Sequence, residues 1–139
     1  MWLLGLPVAA LLCSLALAAP ASARSTKLYA TNVNAWTCPG GLVGKNNPLG
    51  QVRYKSTAAT FSLRHTDFTP GTHLEAVLFV NDFLGCSAYD LDQFTIDDAG
   101  SGSVSLTYPQ IDGGTTGHYE VRPPGSATVI YLATHLVTF

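Results

Sequence analysis

Polar and apolar positions alternate along much of the chain beyond residue 24. In Gln51–Lys55, Val52 and Tyr54 point one way while Gln51, Arg53 and Lys55 point the other. Ala59, Phe61 and Leu63 alternate with Thr60, Ser62 and Arg64. Phe94 and Ile96 alternate with Gln93, Thr95 and Asp97, and Val104, Leu106 and Tyr108 with Ser103, Ser105 and Thr107. A period of two places successive side chains on opposite faces of a strand, so each segment predicts a strand with one buried and one wet face. Leu74–Val80 and Val129–Leu132 are apolar on both faces and predict central or covered strands. Leu28–Val33, Tyr119–Val121 and Leu136–Phe139 are shorter candidates.

Turn residues fall between these segments: Gly40-Gly41, Asn46-Asn47-Pro48, Thr69-Pro70-Gly71, Gly100-Ser101-Gly102, Asp112-Gly113-Gly114 and Pro123-Pro124-Gly125. No stretch after residue 24 shows helical spacing. Seven to nine short strands predict an all-β fold, a two-sheet antiparallel β-sandwich of the immunoglobulin-like kind, with an open β-barrel as the alternative.

The first 19 residues differ from the rest. They carry no charge, Pro20 ends the run, and Ala21-Ser22-Ala23 supplies the small residues that signal peptidase accepts. Residues 1–23 are expected to be a signal peptide and 24–139 a single secreted domain. A membrane anchor fits less well, because the stretch ends in Pro and A-x-A without a basic cluster behind it. Cys13 lacks the small preceding residue of a lipidation site and is expected to leave with the signal.

Removing 23 of 139 residues leaves 116, a one-domain length, with a formal net charge still at −2. That overall balance gives no argument for nucleic acid or an anionic membrane as partner. Two cysteines remain in an oxidising compartment, so Cys38 and Cys86 are expected to form a disulfide. Closing that loop would stabilise the fold by roughly 4 kcal/mol on the chain-entropy account. No Asn-x-Ser/Thr triplet offers a glycosylation site.

Asp67-Phe68-Thr69-Pro70-Gly71-Thr72-His73-Leu74-Glu75-Ala76-Val77-Leu78 and Phe94-Thr95-Ile96-Asp97-Asp98-Ala99-Gly100-Ser101-Gly102-Ser103-Val104 resemble the central hairpins of secreted immunoglobulin-like β-sandwich proteins. The resemblance covers about 40 residues and implies architecture only. Trp36 precedes Cys38 rather than lying between the cysteines, and no tyrosine-corner pattern precedes Cys86.

Candidate chemistry is sparse. His65, His73, His118 and His135 lack the short fixed spacings of a zinc or copper site, although His65 and His73 could meet across a hairpin. Asp90, Asp92, Asp97 and Asp98 are the candidates for calcium, set against the ordinary use of Asp in turns; no metal and no cofactor is expected. There is no G-x-S-x-G elbow, and oxidised cysteines leave no thiol nucleophile. The aromatic residues Trp36, Tyr29, Tyr89 and Tyr108 are candidates for a sugar platform, with His118 in a Gly-rich loop at Thr115–Tyr119 as a further contact. The expected function is a secreted, non-enzymatic module with a structural, cell-surface or binding role and a protein or glycan partner. A small secreted hydrolase or metal-dependent enzyme is one alternative, and a carbohydrate-binding or inhibitor/effector module another.

Overall fold

The computed structural model describes residues 23–31, 47–82, 85–126 and 128–139. Residues 1–22, most of the expected signal peptide, lie outside the described residues, as do Trp36 and Cys38. Among the described residues every regular element is a strand: β1 (Arg24–Ala30), β2 (Gly50–Lys55), β3 (Ala58–Leu63), β4 (His73–Asp82), β5 (Gly85–Thr95), β6 (Gly102–Thr107), β7 (Thr116–Arg122), β8 (Leu132–Ala133) and β9 (Val137–Thr138). The all-β expectation holds.

The strands follow one antiparallel path, β5-β4-β7-β8-β1-β2-β3-β6, with β9 paired to β7. β1 joins the two halves. Its first five residues pair with β2, and Tyr29 and Ala30 turn to pair with Ala133 and Leu132 of β8. The path rolls up so that its inner faces meet: Phe61 of β3 and Tyr119 of β7 pack edge to face with ring centroids 5.5 Å apart. The result is the open-barrel form of the two expected architectures. Leu28, Val52, Phe61, Leu63, Leu74 and Leu78 are fully or almost fully buried inside it, as the alternation requires.

One seam stays unsealed, between the terminal strands β5 and β6. Register explains why. Leu74, Ala76 and Leu78 face the core and stand opposite Phe94, Asp92 and Asp90, so two carboxylates point to the barrel side of β5. At one end Phe94 lies over Gly102, where a Cβ would come within 2.9 Å of its ring. At the other, Tyr89 sits at the β4–β5 register shift, its ring 6.0 Å from Tyr108 and its hydroxyl donating to the Pro109 carbonyl at 3.2 Å. Inward charges and a bulge are both devices that blunt an edge strand.

Three local expectations need correction. Of the apolar run Val129–Leu132 only Leu132 enters a strand, with Ala133 after it; Val129 and Tyr131 are each 38% exposed, and the ring of Tyr131 meets Phe68 instead. The Thr115–Tyr119 stretch is mostly strand β7, not an accessible loop. The segment around Cys86, for which the sequence predicts no strand and which reads as a connection between strands, is largely strand as well, with Asp82 opposite Gly85 and Cys86 opposite Asn81. β5 is mostly exposed before Phe94, so apolar alternation marks only its last residues.

Candidate functional site

The outward side chains of β1, β2, β3 and β6 form one continuous surface. Register sets them in rows across four strands. Lys27, Gln51, Ser62 and Ser103 make the first row, and Ser25, Arg53, Thr60 and Ser105 the second. Lys55, Ala58 and Thr107 make a third, and the alternation carries Arg64 past the end of β3 on the same side. Each row therefore carries one cation among hydroxyl or amide side chains, with Ala58 the one apolar member. Rows recur about every 7 Å along a strand, and strands lie about 4.8 Å apart.

None of these four strands contains an Asp or Glu. Among the described residues the ion pairs are His118–Glu120 and Arg122–Glu75, so Lys27, Arg53, Lys55 and Arg64 have no carboxylate against them. Lys27 Nζ donates to Gln51 Oε1 at 3.5 Å, and the Thr60 and Ser105 hydroxyls are 3.1 Å apart. Two shallow hollows lie on this face. One of about 260 Å³ runs between Lys27, Leu49 and Arg64, and one of about 450 Å³ lies over Arg53, Thr60 and Arg64. The described acids lie elsewhere, with Asp90, Asp92, Asp97 and Asp98 on β5 and the turn after it. A formal charge of −2 conceals this separation.

The second concentration of polar side chains is buried. The outer faces of β4 and β7 place Phe79, Val77 and Glu75 opposite His118, Glu120 and Arg122. His118 Nε2 and Glu120 Oε1 are 2.8 Å apart, and Phe79 stacks on the His118 ring at 5.3 Å with the planes 13° apart. Arg122 donates to Glu75 Oε1 at 2.9 Å through Nε and lies 5.6 Å from the Phe79 centroid; the Gly125 amide donates to Glu75 Oε2 at 3.3 Å. His118 is 0% and Glu120 2% exposed, and neither His118 Nδ1 nor Glu120 Oε2 has a hydrogen-bond partner.

The sequence-level candidates are dispersed. Tyr108 is buried in the core and His118 is fully buried, which removes both from an accessible sugar platform. Tyr29 is half-buried against His135, with ring centroids 5.3 Å apart. Tyr89 is exposed but tied across the seam. Asp97 Oδ1 accepts from the amides of Ala99 and Ser101, both at 2.9 Å, and so closes its own turn. Asp92 Oδ1 accepts from the Gln93 amide at 2.8 Å. His73 Nδ1 meets Thr95 Oγ1 at 3.1 Å, whereas His65 sits exposed with φ at 51°. Among the described residues no three of His, Cys, Asp and Glu come together as a metal site. Cys86 Sγ lies 2.9 Å from Asn81 Oδ1 on the outer face of the β4–β5 hairpin, and Cys38 lies outside the described residues. Among the described residues no helix is long and apolar enough to cross a membrane.

No family model matches the chain, and neither curated proteins nor solved structures yield a significant match.

Proposed function

We propose that this is a secreted, non-enzymatic binding module that holds an acidic polysaccharide on the outer face of β1, β2, β3 and β6. The observation that carries the reading is the arrangement of Lys27, Arg53 and Lys55, one to a row, with Arg64 beside them and no carboxylate on the four strands. Regularly spaced cations among hydroxyl side chains suit a linear polymer that alternates charged groups with sugar hydroxyls. A nucleic acid fits this surface less well. None of the rows offers an aromatic ring on which a base could stack, and the outer face of a four-stranded sheet presents no helix or two-stranded ribbon to a groove. The non-catalytic part of the reading is supported by the burial of the His118–Glu120 pair, which gives a substrate no approach to it.

Affinity chromatography tests it. The secreted protein should be retained on heparin or polygalacturonate and released by salt, and should pass through neutral dextran. Charge reversal at Lys27→Glu, Arg53→Glu and Arg64→Glu should abolish retention, with Asp98→Asn as a control that changes nothing. Retention indifferent to the three reversals would overturn the proposal. Equally strong retention on double-stranded DNA at the same salt would replace the glycan with a generic polyanion.

A further inference from the structure

One end of the barrel opens into a cavity of about 550 Å³ that shares only Lys55 with the rows of the cationic face. It is bounded by Ala23, the last residue of the expected signal peptide, and by the start of β1, the end of β2 with the turn after it, the Gln110–Gly113 loop and Phe139. The floor is apolar: Tyr54 is 7% and Ile111 5% exposed, and Tyr54 and Phe139 pack edge to face at 5.7 Å. Tyr119 backs both rings from inside the barrel, at 5.7 Å from Tyr54 and 6.5 Å from Phe139. Backbone bonds hold the walls in place. The Ile111 amide donates to the Ser56 carbonyl at 2.9 Å, the Phe139 amide to the Thr115 carbonyl at 2.9 Å, and the Gly114 amide to the Phe139 carbonyl at 2.8 Å.

The rim is cationic. Arg24 and Lys55 line the opening, and Arg24 Nη1 donates to the Thr138 carbonyl at 2.7 Å, which fixes the guanidinium while leaving its other N–H groups to bond elsewhere. No Asp or Glu side chain lines the cavity, and Asp112 of the bounding loop is exposed to solvent. A pre-formed, aromatic-floored pocket in the mouth of a β-barrel, with a few converging polar groups, is the usual form of a small-molecule site, and its volume falls in the usual range. We infer that this cavity binds an amphipathic monoanion of the medium-chain alkyl carboxylate class, its chain against Tyr54, Ile111 and Phe139 and its head group on Arg24 and Lys55. The apolar floor disfavours a bare inorganic anion, and the paired cations disfavour a neutral lipid.

Isothermal titration of the secreted protein with dodecanoate, below its micelle concentration, tests the assignment against dodecanol as the neutral twin. One saturable site is expected for dodecanoate, and about tenfold or weaker binding for dodecanol, the difference that one charge-assisted hydrogen bond makes. Arg24→Gln should weaken dodecanoate by about tenfold and leave dodecanol unchanged. Ile111→Trp should fill the cavity and remove both; Ile111→Phe, a smaller change, should weaken both if the tryptophan variant does not fold. Lys27→Glu and Arg53→Glu lie on the cationic face away from the opening and should have no effect, so failure here and failure of polysaccharide binding are separate results. Absence of saturable binding, equal affinity for the acid and the alcohol, or binding indifferent to Ile111→Phe would overturn the inference.

Discussion

Tyr119 donates its hydroxyl proton to the Tyr108 hydroxyl at 3.0 Å inside the barrel, and Tyr108 donates in turn to the Lys55 carbonyl at 2.9 Å. The chain has a direction, because Tyr108 has one proton and the carbonyl takes it. It ties β7 to the residue after β6 and to the end of β2, beneath the cavity at the barrel end.

Two results follow from that direction. Tyr108→Phe leaves a buried hydroxyl on Tyr119 with no acceptor and should cost about 1–3 kcal/mol, whereas Tyr119→Phe leaves Tyr108 its carbonyl and should cost about 1 kcal/mol. Burial, first, holds both phenols protonated above their ordinary range. For Tyr108 the charge of Asp90 adds to this and the bond accepted from Tyr119 opposes it; for Tyr119 the bond it donates adds to it. A proton held more tightly in the folded state means that this contribution to stability is complete below the ordinary phenol value of about 10 and is lost as pH rises above it. Urea titrations at pH 8 and pH 11 should show that loss, reduced in the Tyr108→Phe, Tyr119→Phe double variant. An equal pH dependence in the double variant would count against the assignment.

Arg122 and Glu75 form a nearly buried pair, joined at 2.8 and 2.9 Å. Removing one partner strands the other charge. Arg122→Ala should therefore cost about 3–5 kcal/mol, while the double change Arg122→Met, Glu75→Gln should recover much of it. Thermal melts of the three proteins decide the matter. A double variant no better than Arg122→Ala would show that the arginine acts through its stem or through Phe79.

The same alternation that predicted β2, β3 and β6 also named the outward residues of those three strands, but the first strand candidate, Leu28–Val33, begins too late: β1 is Arg24–Ala30, and Ser25 and Lys27 of the face lie before that candidate. What the alternation could not name was their assembly. Lys27 meets Gln51 and Ser62 meets Ser103 only once strands far apart in sequence pair in a fixed register, and net charge averages over faces that the fold separates. His118 was misplaced because Gly113, Gly114 and Gly117 read as a loop; yet Gly117 lies in the strand, where a Cβ would stand 2.6 Å from the Phe79 carbonyl. The run Val129–Leu132 misled in the opposite sense, since apolar residues that pack on a loop are locally indistinguishable from a strand.

The disulfide expected between Cys38 and Cys86 has a defined setting on one side. Cys86 opens β5 opposite Asn81, whose Nδ2 donates to Thr116 Oγ1 at 2.8 Å, so a bridge there would tether the outer face of β4, β5 and β7. Non-reducing mass spectrometry of the purified protein should give a peptide joining Cys38 to Cys86 within one chain. Changing both to Ala should cost roughly 2–5 kcal/mol. Two freely titrating thiols, or a double variant as stable as the parent, would sink the expectation.

The open seam makes the last prediction. β5 is an 11-residue terminal strand with Leu91 47% and Tyr89 38% exposed, a combination that invites pairing with another chain. Asp90 and Asp92 point to its barrel side opposite Leu78 and Ala76, where a second strand added at the edge would have to desolvate them. The register shift between Leu78 and Phe79 adds a local break in the ladder. If the carboxylates are the guard, Asp90→Val with Asp92→Val should convert a monomer into dimers and larger species at concentrations where the parent shows none by sedimentation velocity. Removing Asp90 should also let the Tyr108 phenol titrate at lower pH, since that charge helps to hold it protonated. This second readout reports on the seam of each molecule whatever the assembly does. A double variant that stays monomeric while its Tyr108 titration moves would place the protection in the bulge and in the Tyr89 and Phe94 closures instead of in the charges.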